Sequence, residues 1–145
     1  MKIYTIGFTK KPAEKFFSLL RTSGASTLID VRLNNVSQLS GFAKRNDLKF
    51  FLGELCAMTY VHRPDLAPTQ SILDDFKKQG SGWATYEDRF LKLMEQRRVE
   101  EAVPRELLKN AVLLCSEDKP HHCHRRLVAE YLAGHWGSAT IEHLV

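Results

Sequence analysis

A chain of 145 residues with 43% hydrophobic and 26% charged residues has the size and balance of one globular unit, which excludes disordered and fibrous classes. Twenty-one Lys and Arg against 17 Asp and Glu give a net charge of +4, compatible with phosphate-bearing partners but not clustered enough to indicate nucleic acid by itself. The first residues lack a signal-type apolar run, and no window approaches the roughly 18 apolar residues of a membrane helix, so a cytoplasmic protein without membrane contact is expected.

Lys2 to Phe8 reads as a strand of β-branched and aromatic residues closing at Gly7, and a helix follows from about Pro12 to the stop signal Ser23-Gly24. Thr27 to Val31 is a second strand, followed by a polar loop through Asn34, Asn35, Ser37 and Ser40. Leu48, Phe51, Leu52 and Leu55 recur at helical spacing, and Thr59 to Val61 is a short third strand ended by Pro64. Gln70 to Gln79 is amphipathic and is broken by Gly80-Ser81-Gly82. Tyr86, Phe90, Leu93 and Met94 mark the next helix, and Arg105 to Lys109 a short one. Ala111 to Cys115 is a fourth, wholly apolar strand. Leu127, Val128, Tyr131 and Leu132 mark the last helix, and Ala139 to Leu144 a fifth strand.

Strands alternating with helices predict a single α/β domain over 1–145, a Rossmann-like three-layer fold with a mostly parallel sheet of about five strands. Right-handed crossovers suggest the order 3-2-1-4-5, with a ligand crevice at the carboxyl ends of strands 1 and 4.

The chemistry of the chain is concentrated in Cys115-Ser116-Glu117-Asp118-Lys119-Pro120-His121-His122-Cys123-His124-Arg125-Arg126, which joins strand 4 to the last helix. Pro120 predicts a helix start with Asp118 as its cap, so that free N–H groups face the crevice and favour an anion. Gly7, Thr9, Asp30, Arg32 and Arg125 are the ligand-binding candidates, the two arginines because a guanidinium makes bidentate contacts to carboxylate or phosphate.

Cys115, Glu117, Cys123 and His124 are the catalytic candidates, since a thiolate activated near a helix start, a histidine and a carboxylate suffice for nucleophilic or acid–base work. The bland alternatives are that Cys115 and Cys123 pack, that Asp30 and Arg32 pair to close the sheet end, and that Gly7 serves a turn. Helical projection places His124 near the buried face and turns Arg126 to solvent; His121 and His122 read as solvated loop residues, and Cys56 as core. Three cysteines argue against a disulfide framework. Their spacing from the histidines matches none of the paired zinc patterns, so no metal and no cofactor is assigned.

The pattern formed by Cys115, Glu117, Pro120, Cys123, His124 and Arg125 resembles the signature of the uncharacterised family called domain of unknown function 488. Tyr4-Thr5-Ile6-Gly7, Asp30-Val31-Arg32, and Phe42 followed by Leu48 resemble its other marks. The resemblance implies a Rossmann-like domain with a polar cleft and names no reaction. Phe8 stands where that family usually has histidine, and Asn34-Asn35 where a proline is common.

The leading expectation is a small enzyme acting on a phosphate- or carboxylate-bearing substrate, such as a nucleotide or nucleic-acid component. Cys123 or Cys115 is then the nucleophile, His124 and Glu117 the acid–base groups, and Arg32 and Arg125 the anion holders. The alternatives are a non-catalytic module for an anionic small molecule or nucleic acid and, third, a metal-dependent hydrolase. Oligomeric state is not readable from the chain.

Overall fold

The computed structural model describes residues 1–35, 41–118 and 120–145; Ser37 and Ser40 of the polar loop and Lys119 of the cysteine-rich stretch lie outside the described residues. Five strands, β1 (Lys2–Gly7), β2 (Thr27–Asp30), β3 (Thr59–His62), β4 (Ala111–Cys115) and β5 (Thr140–Leu144), form one sheet in which every pairing is parallel. The strand order is β3-β2-β4-β1-β5. The α/β class, the parallel sheet and the five strands agree with the sequence reading.

The order does not agree, since β4, expected beside β5, takes the centre between β2 and β1. Burial explains the exchange. A central strand of a parallel sheet is covered on both faces and needs side chains that lose nothing on leaving water. β4, with Ala111, Val112, Leu113, Leu114 and Cys115 all buried, meets that demand better than β1, while β3 and β5 keep exposed residues at the edges.

Strand residues alternate between two apolar clusters. Ile6, Leu28, Val112 and Leu114 pack with Phe16, Phe17 and Leu20 of α1 (Ala13–Ser23) and Leu48 of α2 (Arg45–Phe51). On the opposite face, Ile3, Ile29, Leu113 and Cys115 pack with α4 (Trp83–Arg97) and with Leu127, Val128 and Leu132 of α7 (His124–Trp136). Burying residues as large as these contributes about 1.5–3 kcal/mol each, so both faces hold the sheet. Between β3 and β4 the chain also forms α3 (Gln70–Lys77), α5 (Val99–Ala102) and α6 (Arg105–Leu108).

Local chemistry accounts for most boundaries. Gly24 ends α1 at φ 73°, a left-handed position that a side chain disfavours, and Thr69 caps α3 by accepting a hydrogen bond from the Ile72 amide. After Phe51 the helix widens into a π-turn, Leu52–Cys56, which rotates Leu55 out to solvent although its spacing from Leu48 reads as core. Arg98 breaks α4 from α5 at φ 53° with no glycine or proline to announce it. α7 starts at His124 with Cys123 at its N-cap, four residues beyond Pro120, so the expected Asp118 cap is not formed. Asp118 instead accepts Lys11 Nζ at 2.7 Å. Among the described residues no helix is long and apolar enough to cross a membrane.

Candidate functional site

The crevice opens between β2 and β4, not between β1 and β4. Asp30 sits opposite Leu114, the Val31 amide still bonds the Leu114 carbonyl, and beyond that point the two chains part. From β2 the chain moves outward to β3, and from β4 it crosses the other way to β5, which is the divergence that leaves room at a sheet edge.

The β2 exit is organised by Asp30, a fully buried carboxylate. Its Oδ1 accepts the Arg32 amide at 3.1 Å and Arg32 Nε at 2.8 Å; its Oδ2 accepts Arg32 Nη2 at 2.8 Å and the Tyr60 hydroxyl at 2.5 Å. Burial, and then the bond to Asp30, push the Tyr60 phenol far above its ordinary value, so it stays a donor. Phe8 lies under the Arg32 guanidinium, with 5.4 Å from its ring centre to Cζ. Arg32 is therefore held at two nitrogens and one face. Its Nη1 is buried and has no hydrogen-bond partner among the described residues. An unpaired buried donor costs about 1–3 kcal/mol, and a ligand acceptor would recover that.

The β4 exit is laced to β1. Arg125, fully buried, donates from Nη1 to the Glu117 carbonyl at 2.6 Å, from Nη2 to the Asp118 carbonyl at 3.3 Å, and from Nε to Thr5 Oγ1 at 3.3 Å. Burial lowers its pKa to about 10, which leaves it a cation at neutral pH. The Thr9 amide bonds the Ser116 carbonyl at 3.0 Å. Gly7 is required here by space rather than φ: a Cβ on it would overlap the Glu117 carbonyl oxygen and come within 2.8 Å of Arg125 Nη1.

His124 opens α7 and points back to the sheet. The Val31 carbonyl can only accept, so His124 Nε2–H donates to it, at 2.6 Å. Burial lowers the imidazole pKa to about 4, so at neutral pH the ring is uncharged and Nδ1 carries a lone pair. One ring nitrogen of His124 and the sulfurs of Cys115 and Cys123 lie within 4.8 Å of one another. The two sulfurs are joined as a disulfide, against the expectation that no cysteines pair; a residue eight positions on folds back because the Glu117–Asp118 turn is pinned. Neither sulfur is a nucleophile while bridged, and thiol chemistry there belongs to the reduced chain. Cys56 is free and half-buried, and burial pushes its thiol up.

These exits border a pocket of about 310 Å³, within the range of small-molecule sites. Of the residues singled out in the sequence, Arg32, Cys115, Glu117, Cys123 and His124 line it. Gly7, Thr9, Asp30 and Arg125 do not; the bonds of Asp30 orient Arg32, and those of Arg125 hold the turn.

The opposite wall was not legible in the sequence. Phe76 and Lys77 of α3, Trp83 and Tyr86 of α4, and His122 also line the pocket. Trp83 stacks with Tyr86, 4.8 Å away, and with His122, 4.9 Å away, with ring planes within 20° of parallel. His122, read as a solvated loop residue, is exposed but stacked. The density of aromatic residues from Phe76 to Tyr86 was the available signal, and it does not say over which edge the helix pair folds.

The model of the family described as Domain of unknown function DUF488 matches residues 12–132. That span takes in every pocket residue named above and leaves out Gly7, Phe8 and Thr9. No curated protein and no solved structure matches the chain.

Proposed function

We propose, for a chain that belongs to the Domain of unknown function DUF488 family and so takes no activity from its family's name, that it is a small enzyme acting on a ring-bearing anion of nucleotide type. The buried, unpartnered Nη1 of Arg32, a residue of the pocket lining, carries this reading. Asp30 has already fixed the guanidinium, so a phosphate or carboxylate oxygen arriving at Nη1 meets a donor that loses little freedom on binding. Lys77 adds a second positive charge, and the aromatic wall of Trp83, Tyr86 and His122 suits a flat ring. About 310 Å³ holds one such small molecule, not a strand, which favours a nucleotide over nucleic acid. The groups that would act on it, Cys115, Cys123, His124 and Glu117, share the same walls.

Thermal shift with a nucleoside monophosphate, the nucleoside and inorganic phosphate tests this, because a ligand that binds the native state raises the apparent melting temperature. The monophosphate is expected to shift it most. Arg32→Lys, which keeps the charge beside Asp30 but loses the fork, is expected to erase the difference between monophosphate and nucleoside. No shift with any of the three, or an undiminished difference in the variant, overturns the reading.

A further inference from the structure

Cys115, Cys123 and His124 of the pocket lining form a donor set. We propose that in the reduced protein Cys115 Sγ, Cys123 Sγ and His124 Nδ1 bind a zinc-class divalent ion, with the fourth coordination position open to the pocket. The inference gives the proposed function its chemistry but stands without Arg32.

Four observations support it. The two sulfurs and one ring nitrogen of His124 already lie within 4.8 Å of one another, and one tetrahedral ion with metal–sulfur bonds of about 2.3 Å and metal–nitrogen bonds of about 2.0–2.1 Å spans such a cluster. The Cα atoms of Cys115 and Cys123 are 7.5 Å apart, wider than the 4.4–6.8 Å over which disulfides usually close, and a metal between the sulfurs accommodates the larger span. His124 Nε2–H is committed to the Val31 carbonyl, the outer partner that metal-binding histidines ordinarily have, and this leaves Nδ1 as the donor. Arg125 Nη1 lies 3.7 Å from Cys115 Sγ, placing a fixed positive charge beside a thiolate.

All three donors line the pocket, so the position they leave faces the space where a substrate would sit. Two thiolates and one imidazole with an open site form a catalytic rather than a structural zinc set, and the pairing of soft sulfur with imidazole selects zinc over magnesium or calcium. The disulfide and the metal exclude each other. A dithiol reductant first gives two electrons and two protons to the disulfide, becoming a disulfide itself; the ion then displaces the two thiol protons and forms two metal–sulfur bonds.

The test uses the full chain, reduced with a phosphine under anaerobic conditions, desalted and titrated with cobalt(II). One equivalent is expected to produce a thiolate-to-metal charge-transfer band with tetrahedral ligand-field bands, and zinc(II) to abolish them. Cys115→Ser, Cys123→Ser and His124→Gln are expected to lose the spectrum, whereas Cys56→Ser and Arg32→Lys keep it. In the unmutated chain, which needs no variant to fold, zinc is expected to slow iodoacetamide labelling of Cys115 and Cys123 by roughly tenfold or more and to leave Cys56 unchanged. Absence of the charge-transfer band, or labelling of the pair at the same rate with and without zinc, overturns the metal site. Loss of the nucleotide shift with the spectrum intact counts against the anion reading alone.

Discussion

Two buried arginines stand at neighbouring strand exits and do different things. Arg125 spends its nitrogens inside the protein, on the Glu117 and Asp118 carbonyls, Thr5 and the sulfur of Cys115. Arg32 spends two on Asp30 and keeps Nη1 without a partner among the described residues. As sequence the two are equivalent: each follows an apolar strand, sits near an acid and suits an anion. The difference lies in what is left over after internal bonding. A saturated arginine holds the fold, and one with a nitrogen left over can take an acceptor from outside it.

The largest expected effect tests the anchored exit. Gly7→Ala pushes a methyl into the Glu117 carbonyl, which is backbone and cannot swing aside, so a loss of about 3 kcal/mol or more is expected in urea unfolding. A variant as stable as the parent would show that the turn does not rest on β1.

Arg125→Met is expected to cost about 2–4 kcal/mol, since it strips donors from two carbonyls and a hydroxyl at once. The melting temperature of the unliganded chain is the readout. If Arg125→Met melts with the parent but loses nucleotide binding, the roles assigned to the two arginines are reversed.

The third expectation concerns His124, which the anchored turn delivers to the open exit. Its folded pKa, about 4, lies below the unfolded value of 6.5, so the unfolded chain takes up the proton first. Its stabilising contribution is complete above about pH 6.5 and is lost as pH falls toward about 4, at roughly 1.4 kcal/mol per pH unit. Urea midpoints of the disulfide-bonded chain, compared with those of His124→Gln, isolate this contribution; equal slopes with pH in the two proteins would refute it.

The smallest effects probe the far wall. Trp83→Leu is expected to weaken a nucleotide by about 1–3 kcal/mol while leaving inorganic phosphate unchanged, because only a ring packs against the aromatic wall that Trp83 holds together. Equal weakening of both ligands would move the anion site toward Trp83 and away from Arg32.

Much of this was legible in the sequence. The elements were, because apolar periodicity is set by which faces must leave water: β4 and the inward face of α7 read directly from Val112, Leu114, Val128 and Leu132. The concentration of donors from Cys115 to Arg125 was visible as well, and five of the nine residues singled out line the pocket. Where a local rule misled, a competing contact was stronger. Pro120 announces a helix, but Lys11 and Arg125 hold Asp118 and its carbonyl in a turn, so α7 waits until His124.

The sequence by itself determined the class of fold, the parallel sheet and the segment in which cysteine, histidine and acidic side chains concentrate, since each depends on residues near one another in the chain. Only the tertiary structure decided that β4 lies between β2 and β1, and with it that the crevice faces Arg32 rather than Gly7. Only it folded Phe76 and Trp83 across that crevice, brought Cys123 back to Cys115, and left Arg32 Nη1 without a partner among the described residues. The reason is that these outcomes depend on which buried polar groups find partners once the strands are ordered. That competition is settled between residues far apart in sequence, and no local pattern records its result.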